Sequence, residues 1–352
     1  MAFQFDLGVQ FKQPTQPSSG VDGDKWYNTV DGSTYTYSTG PGWTLPPSNF
    51  GFFMGGWRDG LSGDTSNIER MSFPFDSGTT TTVGYLTVAL RGGSQGFNSS
   101  THGYTFGEQG YSGVQRITFP FDSGLASFVG RGTYEPINSA ACNSSTDGYA
   151  ACGYDPNSGT NYSIANKFTF PFDNPSIATV AGQLTGSRSE IVAVNSSLHG
   201  YFVGGDIPSP GGASSSIERL AFPFTGTATA LGNLSGSTFP AAVCNSSEHG
   251  YVFHHTSGLS TIERFAFPFD SGDAVQVGNL SQSKRWSSGV NSSVYGYSVS
   301  GRLNDGSLTF TTAVERIEFP FDSGSSAITG SVNIASNRAR SCDNTDFVTQ
   351  FV

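Results

Sequence analysis

Three histidines stand in one repeated setting: His102, His199 and His249 are each followed by Gly-Tyr. Three imidazoles brought together would make a metal site. Four Glu-Arg pairs, Glu69-Arg70, Glu218-Arg219, Glu263-Arg264 and Glu315-Arg316, could do acid–base chemistry if one of them faced a substrate. The adjacent His254 and His255 offer a second chelating reading, weakened because neighbours on a strand point to opposite faces. Asn-Ser-Ser matches the N-glycosylation acceptor five times. No His-Glu-x-x-His or Cys-x-x-Cys occurs, and the Gly-Gly pairs lack the strand–helix setting of a phosphate loop.

What these candidates share is that they recur. Asp147 and Tyr295 fill the histidine slot in other copies of the same context. An enzyme has no use for several equal copies of one site, so recurrence favours structure: turn-surface histidines and an ion-pair or hydrogen-bond set along one strand type. The cysteines obey the same rule. Cys142, Cys244 and Cys342 occupy one slot, which elsewhere holds Phe97, Val194 or Val290. That slot reads as apolar core, and a cysteine there behaves as a small hydrophobe. Equivalent slots in different repeats would rarely meet within the roughly 7 Å that a disulfide needs between Cα atoms. Free thiols are expected.

The elements that must position these residues are set by the repeat itself. Phe-Pro-Phe recurs six times, centred on Pro74, Pro120, Pro171, Pro223, Pro268 and Pro320, at spacings of 46, 51, 52, 45 and 52 residues. Around it, each unit holds four short strand candidates. Strand a is a small-residue run ending in Asn-Ser-Ser or a similar triplet. Strand b begins at the Gly-Tyr. Strand c is the Ile-Glu-Arg run, as in IERMSFPF, stopped by a proline that cannot donate to a ladder. Strand d ends in Val-Gly-x-Leu. Turn signals separate them. In the a–b turn the Gly of His-Gly-Tyr is expected at positive φ. In the c–d turn of FPFDSG the Asp side chain is expected to bond backbone two residues on.

Composition agrees with an all-β chain. Of 352 residues, 46 are Gly and 29 are Phe, and charged residues make up 12%, about half the usual ~25%. The net charge is −10, with no basic run to track a phosphate backbone, so nucleic acid is not an expected partner. There is no 18-residue apolar run, so no membrane insertion is expected, and MAFQFDLGVQFKQP lacks the form of a secretory signal.

Four-strand units of this length fit propeller blades, and six copies give six blades. GYFVGGD, SSSIERLAFPF and LGNLS resemble the successive strands of kelch repeats, from Phe50 to the C-terminus, except that most units lack the closing Trp. The expected fold is an all-β, six-bladed β-propeller with kelch-like four-stranded blades, plus a small N-terminal β-hairpin module. The pattern begins at strand b (Asn49–Gly56) and its last strand a lies at Ala339–Cys342, so the C-terminal strand should complete the first blade.

Two domains are expected: residues 1–46, an attachment segment with a β-hairpin, and 47–352, the propeller. The hairpin segment GDKWYN (Gly23–Asn28) resembles hairpins of bacteriophage fibre and other virion proteins, and the blade signature resembles repeat proteins of marine tailed phages. That resemblance implies a non-enzymatic virion protein, a tail-fibre or tail-appendage component presenting a host-recognition surface. Its localisation would be the virion, assembled in the host cytoplasm, and it would be oligomeric in the particle. The alternative is a capsid or neck decoration or adaptor protein whose propeller binds only virion neighbours. A glycan hydrolase would need a pair of carboxylates at the propeller mouth, and the loops contain no clear pair. No catalytic residue, cofactor or metal is expected.

Binding residues concentrate on variable loops carried by a rigid scaffold. Here the a–b and c–d turns are nearly uniform and share one face of the disc; the b–c and d–a loops vary and share the other. The candidate partner- or receptor-binding residues are therefore Trp57, Arg58, Asp59, Tyr154, Asp155, Asn157, Asp206, Arg302, Asn304 and Asp305. They suit a host-surface glycan or protein. Trp26, Tyr27 and Trp43 are the candidate anchors to other virion proteins.

Overall fold

A computed structural model describes residues 10–13, 25–28, 34–38, 42–44, 50–58, 63–90, 96–108, 111–208, 211–254, 260–306 and 309–343, with side chains from residue 50 onward except that of Glu108. The chain divides into two compact units, 1–48 and 49–352. Among the described residues the first holds four short strands. Gln10–Gln13 runs parallel to Lys25–Asn28, and Lys25–Asn28, Thr34–Ser38 and Gly42–Thr44 follow as an antiparallel meander, one strand more than a hairpin on each side.

The second unit is a six-bladed β-propeller, built of six antiparallel sheets in a ring. Blade 2 has strands a to d at Phe97–Asn98, His102–Glu108, Tyr111–Thr118 and Ser127–Arg131. In blade 3 they are Ala140–Asn143, Asp147–Ala151, Ile164–Thr169 and Thr179–Gln183. In blade 4 they are Val192–Asn195, His199–Val203, Gly212–Ala221 and Thr229–Thr238. In blade 5 they are Ala242–Asn245, His249–Phe253, Thr261–Ala266 and Val275–Asn279. In blade 6 they are Ser288–Asn291, Tyr295–Val299, Ala313–Glu318 and Ala327–Ser331. Blade 1 is made from both ends of the unit: Arg340–Asp343 supplies strand a for Phe50–Met54, Gly63–Ser72 and Thr81–Leu90, in the register Cys342 opposite Phe52. The a strands touch one another round the axis, and Arg340–Asp343 touches both Ser288–Asn291 and Phe97–Asn98, which closes the ring.

The recurring Phe-Pro-Phe-Asp is a clasp between blades. The first Phe stacks on the strand-b aromatic of the preceding blade at every junction: Phe119 on Phe52, Phe170 on Tyr104, Phe222 on Tyr149, Phe267 on Tyr201, Phe319 on Tyr251 and Phe73 on Tyr297, with centroids 5.0–5.4 Å apart. The second Phe donates its backbone N–H to the same tyrosine's hydroxyl for Phe75, Phe172, Phe269 and Phe321. The Asp meets the strand-c Arg of the preceding blade, in the pairs Arg70–Asp122, Arg116–Asp173, Arg219–Asp270, Arg264–Asp322 and Arg316–Asp76. The Asp, expected from the local sequence to bond its own turn, instead meets a guanidinium of the neighbouring blade, where a charge-assisted bond is the stronger offer.

A second set of contacts joins the blades from inside. In strand c, Glu or its substitute accepts bonds from the residue that follows Val-Gly-x-Leu in the preceding blade. Thr87 thus bonds Gln115, Thr133 bonds Asn166, Thr185 bonds Glu218, Ser235 bonds Glu263, Ser281 bonds Glu315 and Asn333 bonds Glu69. The slot of Cys142, Cys244 and Cys342 lies over the strand-b glycine of the following blade. A Cβ on Gly200, Gly296 or Gly103 would fall 2.7, 2.3 or 2.4 Å from those sulfurs. These glycines have ordinary φ, contrary to the turn expectation, and close approach is what demands them. The a–b turn is held by Ser Oγ instead, as where Ser196 accepts from the N–H of Leu198 and His199. All four cysteines are free and buried.

Candidate functional site

On the loop face, strand a is entered by a residue four positions before the Cys/Val slot. In blades 3, 4, 5, 6 and 1 these residues are Asn138, Glu190, Pro240, Trp286 and Arg338; the equivalent of blade 2, Gly93, lies outside the described residues. Asn138, Glu190, Trp286 and Arg338 all have left-handed backbone, with φ of 57°, 50°, 55° and 55°. Non-glycine residues avoid that region, and a set of them held there marks a strained, over-determined locus. The residue preceding each is bridged to the first residue of a b–c loop: Asn337 to Trp57, Ile137 to Tyr154, Ser189 to Asp206 and Arg285 to Arg302. The b–c loops are thereby tied to the axial mouth at equivalent points in four blades.

The mouth carries charge. Arg338 of blade 1 reaches Glu190 of blade 4 at 2.8 Å, a pair that spans the axis because those blades are opposite on a six-membered ring. The guanidinium carbons of Arg285 and Arg338 lie 4.1 and 4.2 Å from the centroid of the Trp286 ring. Burial pushes the Arg285 guanidinium down from its usual range; the like charge of Arg302 adds to this and Glu190 opposes it. A small axial cavity of about 60 Å³ lies under this layer, lined in part by Asn138, Glu190, Trp286 and Arg338. Beside it a cleft of about 210 Å³ opens between Trp57, Trp286, Arg302, Asn337 and Arg338.

Two residues singled out from sequence, Trp57 and Arg302, meet in that cleft; Trp57 also packs on Phe310 with centroids 5.6 Å apart. Arg58 pairs with Gly63 in a short ladder, and Asp59 lies outside the described residues. Tyr154 and Asp155 form a separate hairpin with Thr160 and Asn161 on blade 3. Burial alone would raise the Asp155 pKa, but bonds from Ser158, Asn157 and Tyr162 outweigh it and hold the carboxyl below its usual value. Asn157 donates to Glu135 at 3.0 Å. Asp206 stands at the start of the blade 4 loop, and Asn304 and Asp305 follow Arg302 in the blade 6 loop. Trp26, Tyr27 and Trp43 fall on strands of the first unit, opposite Tyr35, Thr34 and Tyr37.

Trp286, Arg338 and Glu190 escaped the sequence reading, which looked for long loops. The signal was present: four before the slot, the repeat holds a different residue type in each of its six copies. The histidines of the His-Gly-Tyr slot stay apart, one per blade. Burial, then the neighbouring arginine, lowers the pKa of His102, His199 and His249. Among the described residues no group of three or more His, Cys, Asp or Glu could hold a metal. His254 lies buried 3.5 Å from Glu263; His255 lies outside the described residues. The four strand-c glutamates are all buried at 4% exposure or less, engaged between blades.

No protein-family model matches the chain, and no curated protein matches it. What fold and site define is a propeller with a uniform turn face and a diversified mouth.

Proposed function

We propose that the chain is a non-enzymatic binding protein of a bacteriophage virion, a tail-fibre or tail-appendage component whose loop face meets the host surface. One observation carries the binding reading. The aromatic stack between blades repeats at all six junctions and the Arg–Asp clasp at five, while the equivalent mouth residues are Asn138, Glu190, Pro240, Trp286 and Arg338. A scaffold held constant with a varied rim is how a rigid fold presents a recognition surface. The virion setting rests on the sequence resemblance of GDKWYN and of the blade signature, together with a separate compact unit at residues 1–48 that suits attachment. Buried, fully engaged strand-c glutamates favour a structural over a catalytic role for the recurring Glu-Arg pairs.

The test is adsorption. Purified full-length chain should bind host cells and compete with intact particles for them, and antibody against the propeller should label the distal end of the tail. A chain beginning at Ser48 should still bind cells but fail to enter particles. Label on the capsid or neck with no cell binding would replace this reading with the decoration role.

A further inference from the structure

We infer that the outer rim of blade 2 is an interface between two copies of this chain, joined edge to edge. The inference goes beyond the binding reading above and does not rest on it. Its first support is the contrast among the six junctions. At each of them the last strand of one blade is bridged, in parallel, to the segment just before the last strand of the next. Four of these bridged pairs are polar: Gln183 with Thr227, Asn233 with Asp273, Asn279 with Ser325 and Ser331 with Thr79. Three of the four carry a hydrogen bond made by a side chain. The other two are Tyr85 with Leu125 and Arg131 with Ile177, and both flank blade 2. Tyr85, Leu125 and Ile177 are 49%, 65% and 73% exposed. Apolar side chains scattered singly over a surface need no explanation. Here the sister slots show what the fold carries when only water faces it, and the apolar choice falls at two adjacent junctions.

The second support is what lies between those flanks. Tyr111 and Phe128 of blade 2 are half-buried, with ring centroids 6.3 Å apart, and the guanidinium carbon of Arg131 lies 5.9 Å from the Phe128 centroid. Aromatic residues and arginine are the types that interface cores concentrate. The six side chains together leave roughly 600 Å² facing water, against the roughly 800 Å² that a standard interface takes from each partner, so a narrow polar border completes it. The third support is charge, and it selects a second copy as the occupant. Arg131 has no ion-pair partner among the described residues. At the other end of the strip, three residues before Leu125, Asp122 gives one oxygen to Arg70 and stays 70% exposed. Leu125 to Arg131 spans about 20 Å of extended chain. A two-fold axis near Phe128 lays one strip antiparallel on the other, so each Arg131 meets the Leu125 and Asp122 end of the second copy. A parallel arrangement would set arginine against arginine, which like charge opposes. Because the strip runs from turn face to loop face, the two loop faces of a pair are turned opposite ways.

Sedimentation velocity on the full chain over a range of concentrations tests this. The chain should sediment as a dimer in equilibrium with monomer. Leu125→Ser with Ile177→Thr gives the two slots the residue types that blades 6 and 4 carry there, so Tm should hold while dimerisation weakens about tenfold or more. Arg131→Gln should weaken it several-fold and leave the remaining association less sensitive to salt. Leu125→Cys chains mixed with Arg131→Cys chains should form disulfide-linked mixed dimers under mild oxidation; the native cysteines are buried and take no part. A chain that is monomeric throughout overturns the inference and leaves the rim to a different virion protein. A Leu125→Ser, Ile177→Thr variant that associates like the parent overturns it by placing self-association elsewhere. Cross-linking of Arg131→Cys with itself in preference to the mixture overturns it as well.

Discussion

Glu69 and Gln115 hold the same place in strand c and differ by one atom type. Both sit at the blade interface, and both accept bonds from the neighbouring blade. The other buried glutamates have cations close by, with Arg188 at Glu218, His254 at Glu263 and Lys284 at Glu315. Glu69 has only Arg58 acting on it at a distance, and burial raises its pKa above the ordinary 4.5. The folded state therefore binds the proton more tightly than the unfolded chain does. Ionising the group is a cost of folding, fully present above the raised pKa and absent below 4.5. Glu69→Gln should raise Tm at pH 7, and the gain should shrink as pH falls toward 4.5. Thermal melts across that range check it; a variant less stable than the parent at pH 7 would show that the carboxylate is needed as such. At this scale the sequence was half legible. The Glu-Arg pairs were read as structural, but which of them carried a counter-charge was not legible, because the cations come from two other repeat positions, one shared by Arg188 and Lys284 and one holding His254. Left-handed Glu190 and Trp286 could not be read at all, since neither residue type signals positive φ.

At the scale of elements, the clasp has one exception. Strand c of blade 3 has Lys167 where the others have Arg, and the c–d turn of blade 4 has Thr225 where the others have Asp. Both members are replaced at one junction, which is what a pairwise interaction allows. Lys167→Arg with Thr225→Asp should rebuild the pair. The arginines of the existing clasps are about a fifth exposed and their aspartates more than half, so a coupling of about 0.2–1 kcal/mol is expected. A double-mutant cycle on unfolding free energy measures it; zero coupling would mean that the charged pair adds nothing to the stacking and the inner hydrogen bonds at that junction. The six-fold Phe-Pro-Phe-Asp was plain in the sequence, and so were the strand positions. Its partner was hidden because the partner lies one blade away, some fifty residues along the chain. Local turn chemistry was the nearest explanation, and it lost to the longer-range charge.

For the whole molecule, closure is the decisive event, and it was legible: the chain begins its repeat at strand b and ends it at strand a, so only a ring satisfies both. Arg340 and Cys342 are both buried by the closing strand, and Arg340 donates to the carbonyl of Gly107 in blade 2. Removing residues 338–352 should expose the edge of Phe50–Met54 and the core face of blade 2. Loss of one large buried side chain commonly costs 2–5 kcal/mol, and this truncation removes more than one. Tm should fall by on the order of 10 °C or more. A truncated chain that melts with the full one would mean that blade 1 stands on three strands.

The shared blade also gives the molecule a direction under mechanical load. Chain arriving from the first unit enters the ring at Phe50, the start of a strand laddered on both sides, to Arg340–Asp343 and to Ile68–Ser72. Tension along that strand loads two rows of hydrogen bonds in shear, all together. The other end of the ring is an innermost strand laddered on one side only. A particle that tethers this chain through its N-terminal side and grips a cell through the loop face would pull on the stronger of its two ends, and the ring would yield last where it is anchored.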